Sequence, residues 1–253
     1  MNNILLEKIA QEQKAKCKTD KLGHGYLPIY DKIFSSQRNE TQKVLEIGIH
    51  SGGSLRLWKE YFTNATIFGL DNNRNTLSKV KDDDIICYFG DQSNRNFLSS
   101  MMQEIGKVDI IIDDGSHRMD HQQISLGFLF QFVKNGGYYI IEDLHTSFGL
   151  SGNYAINEDR SNTTYWFLKN VQFNLKSLVS SMIMTEEENK YFLNHVDSCS
   201  IYEIRHKITH RQKTIRRRRI ARRRNEVSIT SIIKKKDEDL SEIKDEIRQF
   251  KQI

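Results

Sequence analysis

Residues 108–146 read VDIIIDDGSHRMDHQQISLGFLFQFVKNGGYYIIEDLHT, and the punctuation of this stretch decides the fold. Two apolar runs, 108–112 and 138–141, each end in carboxylates: Asp113-Asp114 with Gly115-Ser116-His117 behind them, and Glu142-Asp143. Between the runs, Ile124, Phe128, Leu129 and Phe132 recur at helical spacing, and Asn135-Gly136-Gly137 is expected to stop the helix. A strand, helix, strand unit of this kind makes the two strands parallel. Both acidic ends then share the sheet edge where open α/β folds keep their ligands. Several acids and an imidazole should converge there.

Outward from this unit, residues 44–48 (VLEIG) form a short apolar run into a glycine turn, and Leu55, Trp58, Tyr61 and Phe62 trace the buried face of a following helix. Strand, glycine turn and helix cradle a nucleotide. A second strand over 66–70 ends in Asp71, placed to accept hydrogen bonds from a ribose diol. A third, over 85–89, runs into Gly90-Asp91-Gln92. A pyrophosphate-binding GxGxxG pattern fails here, because the second glycine position holds His50. Glu46 would repel a pyrophosphate but attract the amino and sulfonium cations of S-adenosylmethionine, so charge favours the methyl donor.

With these elements placed, residues 19–204 resemble the class I S-adenosylmethionine-dependent methyltransferases. Within them, the chain is similar to the metal-dependent sugar O-methyltransferases of macrolide tailoring. The resemblance rests on TDKLGHGY at 19–26, LEIGIHSGGSLRLW at 45–58, GLD at 69–71, GDQ at 90–92, DDGSHRMDH at 113–121 and IEDLHTS at 141–147, in that order. It implies S-adenosylmethionine and Mg²⁺ as cofactors, Asp114, Glu142 and Asp143 as metal ligands, and His117 as general base. Asp71 would hold the ribose, with Asp91 and Gln92 near the adenine. Glu46, Gly48 and Gly52 complete the expected cofactor contacts, with Asp113 either cofactor-facing or structural. The three acidic ligands have few positive neighbours in the sequence, so a cation is expected among them. His121 is expected beside the site or at the surface, and His145 either touches substrate or does not.

The chemistry is consistent with this set. A sugar hydroxyl is a poor nucleophile that must lose its proton as the methyl carbon is attacked. An oxygen-rich acidic site suits a hard divalent cation, which acidifies bound oxygen. The resemblance implies a sugar or glycoside as the acceptor. A catechol-like diol is the alternative, and a nucleic-acid-associated methyltransferase a more distant one.

Around this centre, 1–40 is expected as an N-terminal helical cap, 41–204 as the methyltransferase domain and 205–253 as a basic, amphipathic helical tail. In the cap, Ile4, Leu5, Ile9 and Ala15 of a first helix are expected to face inward. Tyr26, Ile29, Tyr30, Ile33 and Phe34 form the stripe of a second helix, and the polar Thr19-Asp20-Lys21 and His24 between them are either a plain loop or one lip of the site. The fold class is a Rossmann-like, mostly parallel sheet with helices on both faces and an antiparallel edge hairpin formed by 177–184 and 198–204.

Eleven of the 38 Lys and Arg fall in residues 205–224, which hold no acid, so the other 27 face all 33 acidic residues. Such asymmetry suggests an acidic enzyme body whose arm meets an anionic surface, membrane or nucleic acid. Ile229, Ile233, Leu240, Ile243, Ile247 and Phe250 fit a heptad, broken at Lys236, that would support self-association. No apolar run reaches the length of a transmembrane span, and the N-terminus is too charged for a signal peptide, so a cytoplasmic enzyme, peripheral to a membrane at most, is expected. Cys17, Cys87 and Cys199 have no metal-ligand spacing.

Overall fold

The structure, a computed structural model, describes residues 4–13, 17–80, 84–148, 162–173, 181–205 and 227–237. In chain order the helices α1 (Leu5–Glu12), α2 (Lys21–His24) and α3 (Leu27–Phe34) precede β1 (Lys43–Ile47), α4 (Gly53–Tyr61), β2 (Thr66–Asp71), α5 (Arg74–Leu77) and β3 (Ile86–Phe89). Then come α6 (Arg95–Ile105), β4 (Val108–Asp113), α7 (Met119–Leu129), β5 (Val133–Ile141), α8 (Thr164–Gln172), α9 (Glu186–His195), β6 (Val196–Arg205) and β7 (Val227–Lys235). No helix among the described residues is long and apolar enough to cross a membrane.

The strands form one sheet in the order β3-β2-β1-β4-β5-β7-β6, parallel except for β7, which runs antiparallel to both β5 and β6. Alternate side chains feed two cores, as a two-residue period requires. Leu45, Ile47, Ile111, Ile141 and Ile233 pack with α6, α7, α8 and α9 residues such as Met102, Leu129, Leu168 and Phe192. On the other face Val44, Ile110, Ile112, Ile140 and Ile232 meet Leu6, Tyr30, Phe34 and Trp58 from α1, α3 and α4. Strand order reverses between β1 and β4, and the crevice at their C-terminal ends is where such sheets bind ligands.

Several expectations change in detail. In α1 Leu6 and Ala10 are fully buried, with the expected Leu5 and Ile9 half-buried against the same core, while Ala15 lies outside the described residues. Asn135-Gly136-Gly137 does not precede β5 but lies within it, as an irregularity between the pairs Val108↔Val133 and Ile110↔Tyr138. Gly136 has φ +74°, and a Cβ on Gly137 would come 2.5 Å from the Asp109 carbonyl, so the second glycine answers a close backbone approach.

The largest difference concerns the tail. Residues 227–235 are not a helix but β7, the strand inserted between β5 and β6, so the sheet does not end at residue 204. Ile229 and Ile233 are four apart, a spacing that shares one face in a helix and also in a strand. The neighbours decide: Ile232, next to Ile233, is buried on the opposite face, as a central strand demands. Ser228, Thr230 and Ser231 are buried too, which a coiled-coil seam would not require. The antiparallel partner of β6 is therefore β7; residues 181–184 form no strand, and 174–180 lie outside the described residues. The basic run at 206–224 and the heptad positions Leu240, Ile243, Ile247 and Phe250 also lie outside them.

Candidate active site

Beyond β1 the chain turns at Gly48, with φ +98°, whose N–H donates to the Leu70 carbonyl at 2.7 Å. A Cβ here would stand 2.2 Å from the carbonyl oxygen of Asp114, so only glycine lets the ends of β1 and β4 meet. Gly48→Ala should cost about 1–3 kcal/mol, read as a lowered melting temperature, and should weaken binding of S-adenosylhomocysteine measured by calorimetry.

Asp71 fixes the same turn. Its Oδ2 accepts from the Ile49 and His50 amides at 2.9 and 3.2 Å, and its Oδ1 from Asn73 N at 2.8 Å. His50 occupies the left-handed region at φ 48°, so the turn is made without the second glycine of the dinucleotide pattern. A cavity of about 680 Å³ opens over these groups and spans the strand ends from Asp71 and Asp91 to Asp114, His117 and Asp143. Lys18, Thr19 and Asp20 line it as well, which makes the polar N-terminal segment one lip of the site rather than a plain loop.

Of the expected cofactor contacts, Gly48, Asp71, Asp91 and Gln92 line this cavity, whereas Glu46, Gly52 and Asp113 do not. Gly52, at φ +77°, closes the turn through its N–H to the Ile49 carbonyl. Asp113 is buried and points inward: its carboxylate accepts from Gln92 Nε2 at 3.0 and 3.1 Å and from Ser125 Oγ at 2.9 Å. Burial pushes its acidity down, that is, its pKa up, against the hydrogen bonds of Ser125 and Gln92. Gln92 Oε1 in turn accepts from Ser116 N at 2.8 Å, so Asp113 and Gln92 together shape the loop that carries His117. The buried face of α7 is accordingly part polar, with Gln122, Gln123 and Ser125 inside beside Met119, Leu126 and Leu129. Asp91 binds its own turn: although partial burial works the other way, the backbone and side chain of Ser93 hold its carboxyl below the usual range.

At the other end of the cavity, Asp114, His117 and Asp143 each bring a ligand-type atom within 4.8 Å of the others. His117 and Asp143 both have φ 56°, a left-handed conformation uncommon outside glycine, in the two loops that bear the acids. His117 Nε2 lies 3.8 Å from Asp143 Oδ2, and its Nδ1 is buried without a hydrogen-bond partner. Asp143 Oδ1 accepts from the Tyr26 hydroxyl at 2.9 Å and has His145 Nδ1 at 3.8 Å. His121 Nδ1 is 3.0 Å from Ser116 Oγ and also lines the cavity. The two carboxylates gathered on an open cavity are oxygen donors that fit a hard divalent cation, with the imidazole beside them.

Glu142, the third expected ligand, stands behind this group. It is buried, and its Oε2 and Oε1 accept from Lys21 Nζ and the Tyr30 hydroxyl, each at 2.9 Å. Glu46 is buried as well, accepting from Trp58 Nε1 at 3.2 Å and facing Lys21 Nζ at 3.1 Å, so it does not offer its charge to the cavity. The acids therefore have a positive neighbour that the sequence had not suggested. Lys21, fully buried, also donates to Asp114 Oδ2 at 2.6 Å. Burial alone would lower its pKa, but Asp114, Glu142 and Glu46 together hold it well above the usual lysine range. Burial pushes both Glu46 and Glu142 up. The only trace of Lys21 in the sequence was the TDKLGHGY motif; nothing in its spacing tied it to acids 25 to 121 residues away.

The strand order, the glycine turn after β1 and the acid after β2 define a Rossmann-like class I methyltransferase sheet. No protein-family model matches the chain. Over 143 residues it is 39% identical to 8-demethyl-8-(2-methoxy-alpha-L-rhamnosyl)-tetracenomycin-C 3'-O-methyltransferase of Streptomyces olivaceus, a match covering 53% of this chain and 36% of that one. It is 41% identical over 132 residues to demethylmacrocin O-methyltransferase of Streptomyces fradiae, covering 49% and 33%. Among solved structures, the MycE methyltransferase from the mycinamycin biosynthetic pathway, in complex with Mg, SAH and mycinamycin VI, matches with a TM-score of 0.67 at 27% identity, covering 91% of this chain and 54% of MycE. The chain thus spans about a third of the length of these curated relatives and about half that of MycE.

Proposed function

We propose that the protein is an S-adenosylmethionine-dependent, Mg²⁺-dependent O-methyltransferase that methylates a sugar hydroxyl of a glycoside. The observation that carries this is the single cavity in which the glycine turn and Asp71 stand at one end and Asp114, His117 and Asp143 at the other. The likeness to sugar O-methyltransferases, and to MycE with Mg, SAH and a macrolide, supports the substrate class.

When bound, S-adenosylmethionine supplies an electrophilic methyl carbon, and Mg²⁺ a hard positive charge that acidifies acceptor oxygens. Asp114 and Asp143 would hold the metal, with Glu142 in support behind them. Gly48 and Asp71 shape the donor end of the cavity. His117 would take the proton of the acceptor hydroxyl as that oxygen receives the methyl group the donor supplies. The products are the sugar methyl ether and S-adenosylhomocysteine. Holding donor and acceptor in one cavity removes much of the entropic cost of their encounter.

Methyl transfer from labelled donor to a glycoside should vanish in EDTA and return with Mg²⁺. Full turnover in metal-free buffer would overturn the metal dependence. A preference for catechol over every glycoside tried would overturn the acceptor class.

A further inference from the structure

Among the described residues Lys21 is the one buried cation of the site, and its surroundings are unusual. Its Nζ lies 2.6 Å from Asp114 Oδ2, 2.9 Å from Glu142 Oε2 and 3.1 Å from Glu46 Oε1. Three carboxylates from the ends of β4, β5 and β1 thus close on one ammonium, delivered by a four-residue helix from the N-terminal segment. Glu46 Oε1 is buried, with the ammonium 3.1 Å away. Glu46 and Glu142 have almost no exposed surface, while Asp114 also borders the cavity. A cage of carboxylate oxygens of this kind is what a hard divalent cation would otherwise select.

We infer that Lys21 is a resident internal cation: it fills the inner position among Glu46, Asp114 and Glu142, and so positions Asp114 for a single ion held on the cavity side with Asp143. The inference rests on the proposed metal-dependent reaction for the outer ion, but not for the inner contacts. Lys21 does not line the cavity. It acts through Asp114, as groups behind a metal ligand commonly do, and loss of such groups typically costs about 10 to 100-fold in metal affinity or activity. It also keeps a second ion out of the buried cage, because its ammonium already occupies the position between the three carboxylates.

The test compares full-length wild type with Lys21→Ala and Lys21→Arg, using Mn²⁺ as the probe. Wild type and Lys21→Arg should bind one Mn²⁺ per chain, whereas Lys21→Ala, which leaves an anionic vacancy, should bind two. The melting temperature of Lys21→Ala should fall without divalent ions and recover as Mn²⁺ is added, with little such dependence in wild type. Its turnover at saturating Mn²⁺ should drop about 10 to 100-fold. One Mn²⁺ per chain in Lys21→Ala, or a variant that stays unfolded even when refolded with Mn²⁺, would show Lys21 to be a plain structural strut and overturn the inference. Should wild type bind no Mn²⁺, the metal-dependent reaction fails, yet a gain of one ion in Lys21→Ala would still uphold the inner site.

Discussion

A chain ending at Ile204 should fail to fold cooperatively, losing both its unfolding transition and all methyl transfer. An independent basic tail would predict the opposite, with a small soluble sugar still methylated. The structure decides between these because β7 lies between β5 and β6 and pairs with both. Removing it would strip β5 of its outer partner and leave β6 with none. It would also take Ile229, Ile232 and Ile233 out of the two cores in which they are buried. The site would suffer directly: Tyr30, which binds Glu142, also meets Thr230 Oγ1 at 3.0 Å, and Tyr26, which binds Asp143, has the Ile229 carbonyl at 3.3 Å. The milder Ile233→Ala should destabilise by about 2–5 kcal/mol, a large part of the ordinary stability of a domain. Thermal melts followed by circular dichroism measure both. A truncated chain with wild-type melting would refute the placement of β7.

His117→Ala should lower kcat by about 10² to 10⁴-fold, the usual contribution of a positioned acid or base, while S-adenosylhomocysteine still binds. The left-handed backbone of His117 and its ring beside Asp143 place the imidazole on the cavity wall, with Thr146 Oγ1 donating to its backbone carbonyl at 3.2 Å. Asp71→Ala should do the reverse, weakening donor binding most, because that carboxylate braces the glycine turn through Ile49 and His50. Calorimetric titration beside single-turnover rates separates them. If His117→Ala loses donor binding as severely as Asp71→Ala, His117 is not the base.

The sequence by itself determined the parallel frame and the location of the chemistry. Apolar runs that end in Gly48, Asp71, Asp91, Asp114 and Asp143 can only be strands whose C-terminal ends face one crevice, since the crossover rule leaves no other arrangement. Those signals are local, so they survive in a linear reading. Tertiary structure decided what local spacing leaves ambiguous. Residues 227–235 satisfy a helical and a strand pattern at Ile229 and Ile233 alike, and only the open flank between β5 and β6 makes them a strand. Asp113, Glu46 and Glu142 look interchangeable with Asp114 and Asp143 in sequence, but the direction of each side chain separates them: inward to Gln92, Trp58, Tyr30 and Lys21, or outward to the cavity. Lys21 shows the limit most clearly, because a buried charge is defined by the partners that surround it, and its partners come from three strands that only the folded sheet brings together.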